Sequence, residues 1–172
     1  MSNISLLKNL TFFVVILLNI FVFIDEVKAK SKLPKCKVQN TEIITTKSCY
    51  AKITSSNGAV YDGEWKNSCP HGQGKILYDN GDIYIGEFKD CTQHGQGTLT
   101  HNDGVEYVGD FKNGKKTGQA IITYPDPDGM IYEGGMKDGR YHGKGTVTYS
   151  DGVSGVGIWD NGEFKGWEKR LK

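Results

Sequence analysis

The hexapeptide YDGEWK at residues 61–66 decides the fold, because close copies of it return at nearly constant intervals along the chain. The next copies read YIGEFK at 84–89, YVGDFK at 107–112 and YEGGMK at 132–137, and a weaker fifth copy, GVGIW, occupies 155–159. Self-similarity at a period of 20–50 residues is the sequence signature of a repeat architecture.

The second half of each unit also repeats. It reads HGQG at 71–74 and 94–97, TGQA at 117–120 and HGKG at 142–145. Each second half ends in a dipeptide that is typical of a two-residue hairpin turn, namely Asn80-Gly81, Asp103-Gly104, Asp128-Gly129 and Asp151-Gly152. We therefore expect a strand, a polar loop carrying the His-Gly pair, a second strand and a tight turn, with the two extra residues of the third copy in its turn at Pro125–Asp128.

Alternation with a period of two assigns the side chains to faces. Tyr61, Gly63 and Trp65 point to one side of the predicted strand, and the charged residues between them point to the other. Glycines between aromatic residues on the same face let the rings lie across the strands and pack on cross-strand neighbours. The pattern predicts an all-β fold of about ten short antiparallel strands, forming an elongated sheet of roughly 45–50 Å.

These residues resemble the MORN repeat (membrane occupation and recognition nexus), whose unit is approximately Tyr-x-Gly-x-Trp/Phe, a polar loop, His-Gly-x-Gly, an apolar strand and Asp-Gly. The resemblance gives a repeat array over 61–172 with units 61–83, 84–106, 107–131, 132–154 and a truncated 155–172. It implies a binding or scaffolding ladder. Four positions depart from the unit, namely Thr117, Ala120, Met136 and Gly155.

Residues 1–60 divide into two predicted segments. The apolar run at 10–24 follows Lys8 and ends at Asp25, which predicts a signal peptide over 1–29, with a membrane anchor at 6–24 as the alternative. Residues 30–60 are expected to form a cysteine-containing cap, in which 47–60 aligns with half a repeat. The expected location is therefore outside the cytosol, in a periplasm or the extracellular space.

Four cysteines follow the apolar run, and an even number in an exported chain favours two disulfides. Three pairings are open, and we favour Cys36–Cys49 with Cys69–Cys91. The first pair would fix the exposed edge of the sheet. The second faces a geometric objection, because one repeat spans about 9–10 Å and a disulfide needs its Cα atoms within ~7 Å, so the two segments must lean together.

Charge argues against nucleic acid as a partner, since the chain has a net charge of only +1. Residues 30–60 carry six lysines and one acid, whereas residues 61–172 carry 13 basic and 17 acidic residues. The acidic array disfavours binding to phosphoinositides, and contact with an anionic membrane would fall to the lysine-rich N-terminal stretch.

The histidines at 71, 94 and 142 occupy one repeat position, so about 9–10 Å separates neighbours, too far for them to share one metal ion. We expect each to hydrogen-bond within its hairpin loop. The sequence also has no Gly-x-Ser-x-Gly elbow, HExxH or phosphate-binding loop. We therefore predict a non-enzymatic protein with no cofactor and no metal.

Two binding hypotheses follow from the aromatic stripe. In the first, the chain is a scaffold that docks a protein partner or a second copy of itself. In the second, it is a module of the cell envelope whose rings contact a glycan or a lipid head group. Both use the same candidate face, for which a purely structural role as the core is the alternative. The candidate residues are Tyr61, Trp65, Tyr84, Phe88, Tyr107, Phe111, Tyr132 and Trp159.

Overall fold

The computed structural model describes residues 32–40, 42–44, 46–125, 127 and 129–171. The predicted signal peptide or anchor at 1–29 lies outside these residues. No helix in the described part of the chain has the length and apolar character needed to cross a membrane.

The described chain is built from β-strands joined by short turns. The strands are β1 Val38–Gln39, β2 Glu42–Ile43, β3 Cys49–Thr54, β4 Val60–Lys66, β5 Cys69–Leu77, β6 Ile83–Lys89, β7 Thr92–Thr100, β8 Glu106–Lys112, β9 Lys115–Thr123, β10 Ile131–Lys137, β11 Arg140–Thr148, β12 Ser154–Asp160 and β13 Glu163–Leu171. Strands β3 to β13 form one antiparallel sheet in chain order, and β1 and β2 form a separate pair. The all-β ladder of hairpins expected from the sequence is therefore confirmed.

Each repeat contributes a seven-residue strand and a nine-residue strand. Five repeats give the ten strands β4 to β13, and β3 is an eleventh in the described sheet. This extra strand comes from the half-repeat at 47–60. The truncated fifth repeat supplies two full strands, because Glu163–Leu171 pairs with β12 although it lacks the repeat motif.

The tight turns and the wider turns lie at the opposite ends of the repeat unit from those predicted. The short connections at 67–68, 90–91, 113–114, 138–139 and 161–162 have positive φ at both residues, as a type I′ hairpin turn requires. The expected polar loop is thus a two-residue turn, and the His-Gly pairs lie inside strands. Asn113-Gly114, Asp138-Gly139 and Asn161-Gly162 carried this signal in the sequence.

The dipeptides at 80–81, 103–104 and 151–152 belong instead to wider turns. In the first repeat, Tyr78 N–H donates to Asp82 O over 2.9 Å, and Gly81 N–H donates to Tyr78 O over 3.1 Å. This is a three-residue loop that ends in a glycine with positive φ. In the third repeat, Tyr124 N–H donates to Met130 O over 2.8 Å, and the connection is two residues longer than in the first. Asp126 and Asp128, within the stretch where the two extra residues were expected, lie outside the described residues.

The first edge of the sheet is covered by the segment that precedes it. Cys36 N–H donates to Tyr50 O over 3.0 Å, and Tyr50 N–H donates to Pro34 O over 2.9 Å. Cys36 and Cys49 form a disulfide with their Cα atoms 4.9 Å apart, and Cys49 is buried. Part of the exposed edge of β3 is therefore occupied by the chain itself, which limits pairing with other strands there.

Candidate functional site

All eight rings of the candidate face lie in the core. Their exposed fractions run from 0% for Tyr84 and Tyr107 to 9% for Trp65. Neighbouring rings pack edge to face with centroids about 5 Å apart, a favourable geometry for aromatic pairs. These pairs run from one repeat to the next, as in Tyr61 with Phe88 and Tyr84 with Phe111. A ligand cannot reach these rings without displacing the core.

Each repeat tyrosine lies flat across glycines and caps a break in the strand ladder. A β-bulge interrupts the pairing just after Gly86, and Tyr84 Oη–H donates to the carbonyl of Glu87 over 2.8 Å. A Cβ at Gly86 would come within 2.7 Å of this hydroxyl and 2.6 Å of the Cα of Gly97. The hydroxyls of Tyr61, Tyr107 and Tyr132 likewise donate to the backbone carbonyl three residues further along the chain. Only glycine leaves room for the ring at this position.

Two further side chains from each pair of consecutive repeats meet above the buried rings. One is the first residue of a wide turn, and the other is the second residue of the nine-residue strand in the next repeat. Gln93 Nε2–H donates to Tyr78 Oη over 3.0 Å, Lys116 Nζ approaches His101 Nε2 to 3.3 Å, and Tyr124 and Tyr141 are hydrogen-bonded through their hydroxyls. We call this set the cross-repeat row, and its last members are Tyr149 and Phe164, which are 41% and 43% exposed.

The cross-repeat row differs from the core in how it uses the repeat. The core keeps a tyrosine, two small residues and usually an aromatic residue in each of the first four units, whereas the row contains amide, imidazole, ammonium and aromatic groups at equivalent positions. The row is thus the part of this face where the repeats are chemically distinct. It is also more accessible than the rings beneath it, since none of its members is among the buried core residues.

Two depressions open along the cross-repeat row. The polar depression, of about 400 Å³, is lined by His101, Asp103, Lys116, Tyr124, Arg140 and neighbouring apolar residues. The apolar depression, of about 280 Å³, is lined mainly by rings, among them Tyr149, Trp159, Phe164 and Trp167. Tyr141 lines both. The two depressions are therefore adjacent parts of one surface.

The last repeat builds its aromatic wall with substitutes. Gly155 stands where the other repeats have tyrosine, and the ring of Trp167 lies within 2.7 Å of the position that a Cβ would occupy there. Phe164 and Trp167 pack together with centroids 5.0 Å apart. Strand β13 thus replaces the missing tyrosine and leaves partly exposed rings at this end of the row.

A charged relay stands at one wall of the polar depression. Asp82 accepts the backbone N–H of Asn102 over 3.0 Å, which together with His101 holds the pKa of the Asp82 carboxyl below its usual range. His101 Nδ1 lies 3.0 Å from Asp82 Oδ2. Burial lowers the pKa of the Lys116 ammonium, which also lies 4.8 Å from the centroid of the Tyr107 ring.

The other histidines do not sit within hairpin loops as expected. His71 Nδ1 lies 3.8 Å from Asp90 Oδ1, and His142 Nδ1 lies 3.4 Å from Asp160 Oδ1. Both start from nine-residue strands and face a carboxylate in the following repeat. Nδ1 of His94 is buried without a hydrogen-bond partner among the described residues. The exchange of turn types explains the difference, since it moves the histidines out of the loops. In the described ranges, no three His, Cys, Asp or Glu side chains are grouped so that they could hold a metal ion.

The second disulfide joins consecutive repeats. Cys69 and Cys91 are bonded with their Cα atoms 4.7 Å apart, well below the spacing of one repeat in a flat sheet. Cys91 lies in a tight turn, and its N–H donates to Pro70 O over 3.1 Å. Gly114, Gly139 and Gly162 make the equivalent bond to Gln93, Lys116 and Tyr141. Each tight turn therefore leans onto the preceding repeat, which removes the geometric objection. Both pairs at disulfide distance are those favoured from the sequence, and such pairs are typical of an oxidising compartment.

Taken together, these features define a non-globular class, a ladder of β-hairpins with a continuous aromatic core and a chemically varied surface row. The MORN repeat model matches residues 61–83, 84–106, 107–126 and 132–154, more than half of the chain. The chain belongs to the MORN-repeat family, as its resemblance predicted. Its repeats indicate a repeat protein that is involved in binding.

Other comparisons add little. A search of curated protein sequences gives no match. Among solved structures 34 chains match, and one is the TCP domain of SAS-4 (dCPAP) from Drosophila melanogaster in complex with a proline-rich motif of Ana2 (dSTIL). It is 18% identical over 77% of this chain and 96% of its own length, with a TM-score of 0.15. A likeness at that score does not bear on the fold or function of this chain.

The repeat period predicted the core rings but did not indicate the cross-repeat row. The missed members are Tyr78, Gln93, His101, Lys116, Tyr124, Tyr141, Tyr149 and Phe164. A signal was present, because these two positions change chemical type from unit to unit while the positions around them are kept. The contacts between them were not readable, since they depend on bends at the bulges that bring distant strand ends together.

Proposed function

We propose that this protein is a non-catalytic, exported scaffold of the cell envelope that binds a protein partner along the cross-repeat row. The supporting observation is the separation just described, in which the repeated residues make the core and the varied residues lie above it. Partly exposed aromatic side chains at the end of the row, Tyr149 and Phe164, suit a protein interface. Export is supported by the two disulfides and by the apolar run at 10–24.

The binding test uses two double variants on opposite faces of the sheet. Tyr149→Ser with Phe164→Ser removes exposed rings from the row. Leu77→Ser with Ile158→Ser removes exposed apolar side chains of similar accessibility, 41% and 37%, from the other face. Each form is immobilised and exposed to cross-linked envelope extract from the source cells, after a melting curve has shown that it is folded.

We expect the wild type and the Leu77/Ile158 variant to retain the same protein, and the Tyr149/Phe164 variant to lose it. Equal retention by both variants would place binding elsewhere and overturn the proposal. Export is tested by intact mass after expression in a secreting host. The proposal requires the mass of a chain that begins near Lys30, with four thiols that react only after reduction. The mass of the full-length chain, with thiols that react without reductant, contradicts the proposal.

A second function is favoured by the apolar depression. Its partly exposed rings include Tyr149, Phe164 and Trp167, and such rings also stack on sugars. In this alternative the chain is an envelope module that binds a glycan or lipid head group. A glycan function predicts that soluble oligosaccharide competes with the captured partner and that enzymatic deglycosylation abolishes capture. A protein partner predicts that neither treatment has an effect.

A further inference from the structure

The polar depression contains two cations without a carboxylate partner. Among the described residues, no carboxylate lies within ion-pair distance of Lys116 or Arg140, although both line this surface. Three other lysines of the described array do have carboxylate partners, among them Lys115 with Asp138 at 3.1 Å and Lys144 with Glu168 at 2.6 Å. With Asp103 as the one carboxylate of its described lining, the depression has two cations against one anion, in an array that is acidic as a whole.

The hydrogen bonds from Asp82 through His101 to Lys116 determine which N–H groups of Lys116 are free for a ligand. Asp82 stays ionised and accepts the Nδ1–H of His101, which leaves Nε2 of the ring as an acceptor. Lys116 donates one of its three N–H groups to that nitrogen over 3.3 Å. Its ammonium is held over the Tyr107 ring, half-buried, with N–H groups left for a further acceptor. A half-buried ammonium binds an added carboxylate more strongly than an exposed one, because water screens it less.

The neighbouring depression adds an apolar requirement. It begins at Tyr141, shared with the polar depression, and continues to Phe164 and Trp167 in the last repeat. The two centres are therefore about one repeat apart, two strand spacings or ~9–10 Å. A chain in the polyproline II conformation advances about 3.1 Å per residue with three residues per turn, so residues three apart cover that distance and point to the same side.

We propose that the cross-repeat row binds a segment of a partner protein in the polyproline II conformation that carries an Asp or Glu three residues from an aromatic or large aliphatic residue. The carboxylate takes the polar depression, where Lys116 and Arg140 receive it, and the apolar side chain takes the ring-lined depression. This inference rests on the proposed function and names the chemistry of the partner.

Three features favour a peptide carboxylate over a phosphorylated head group. Asp103 lines the same depression and opposes a doubly charged ligand more than a singly charged one. The ring-lined depression next to it accepts an apolar side chain, which a phosphorylated head group does not provide. The array around the site is acidic, which weakens attraction to a uniformly anionic surface.

The test selects peptides from a random library displayed on phage, using the full-length chain, and then measures the binding of one selected peptide to three variants. Lys116→Met keeps the aliphatic stem and removes the charge. Lys89→Met is the matched control, since Lys89 is exposed on the opposite face. Phe164→Ala reduces the apolar depression. Melting curves establish that each variant is folded.

We expect selected peptides to carry an acidic residue three positions from an aromatic or aliphatic one. Lys116→Met should weaken their binding at least about tenfold, as expected for loss of a charged hydrogen bond, with no change for Lys89→Met. Phe164→Ala should weaken binding through the apolar residue alone, so that a peptide with alanine there binds wild type and variant equally.

Other results overturn the inference and separate it from the proposed function. In one such result, the selected peptides lose affinity for Phe164→Ala but show no acidic preference and no effect of Lys116→Met. The proposed protein scaffold then stands, and the acidic motif is refuted. In a second result, the chain selects no peptide and binds phosphatidylcholine vesicles only when they contain phosphatidylserine, and only with Lys116 intact. That result refutes both the protein scaffold and the acidic motif, and it makes the site one for lipid. Selection of peptides unaffected by either variant removes the row as the binding surface.

Discussion

The replacement Tyr84→Phe tests whether the repeat tyrosines are needed for their hydroxyls as well as for their rings. Tyr84 is fully buried, and its hydroxyl donates over 2.8 Å to the Glu87 carbonyl at the bulge that follows Gly86. Phenylalanine keeps the ring and its edge-to-face contacts with Phe88 and Phe111. The hydroxyl also lies 3.5 Å from the His94 carbonyl, so the substitution takes the donor away from both acceptors.

The expected loss of unfolding free energy follows from that geometry. A buried polar group left without its partner costs about 1–3 kcal/mol, and a typical hydrogen bond contributes only about 1 kcal/mol in net terms. We expect a loss of about 2 kcal/mol, because the ladder is already interrupted at this carbonyl. In a domain of this size, that lowers the melting temperature by roughly 4–8 °C.

Urea unfolding of the oxidised protein, followed by tryptophan fluorescence, measures this loss. Tyr149→Phe is the matched control, since Tyr149 is 41% exposed and its hydroxyl makes no hydrogen bond within the described residues. The control should unfold at the urea concentration of the wild type. If both variants unfold together, the hydroxyl at the bulge is not stabilising and the reasoning about all four repeats fails.

Three further predictions concern the stability of the same sheet. Replacing Cys69 and Cys91 together by serine should lower stability by about 3 kcal/mol, the loop-closure value for their separation of 22 residues, and reduction of the wild type should produce a loss in the same repeats by hydrogen exchange. Gly86→Ala should cost about 1–3 kcal/mol in the urea assay, because its Cβ would force Tyr84 or the Gly97 backbone to move; unchanged stability would show that the ring shifts freely. Burial raises the pKa of Tyr132 to about 12 and that of Tyr84 further, so these groups stabilise the fold fully below the unfolded pKa of about 10 and lose that contribution as pH rises through the folded values. A tyrosinate absorbance titration should therefore show these rings ionising later in the native protein than in urea, and identical curves would contradict their burial.

The fold was readable from the sequence because its signals agree at several levels. The spacing of Tyr61, Gly63 and Trp65 gave both the strand period and the buried face, and the same spacing returned in every unit. The tight turn and the wider turn were predicted at the wrong ends of the repeat unit, because both kinds of turn carry Asn-Gly or Asp-Gly pairs. A dipeptide signals a turn but does not say whether the loop has two or three residues, which depends on where the flanking strands pair.

The candidate site was less readable for a different reason. Lys116 and His101 are 15 residues apart and belong to different repeats, so neither alternation nor repeat spacing indicates that they touch. Their contact depends on the bulges that bend the strands and on turns that lean onto the preceding repeat. The same leaning brought Cys91 to Cys69, against the estimate for a flat sheet.

The arrangement separates the residues that make the ladder from those available to recognise a partner. A repeat keeps its place through one tyrosine hydroxyl, two close-packed backbone positions and the rings of its neighbours. Some row residues pack on these rings, as Tyr141 does on Tyr132 and Phe164 does on Trp159, but the tyrosine hydroxyl bonds to a backbone carbonyl and not to the row. The positions of the row can change from glutamine to lysine to tyrosine at Gln93, Lys116 and Tyr141 while the sheet continues without interruption. Since consecutive repeats contribute one residue each, every pair in the row depends on two adjacent units being stacked. Recognition by this surface is therefore a property of the array and not of any single repeat.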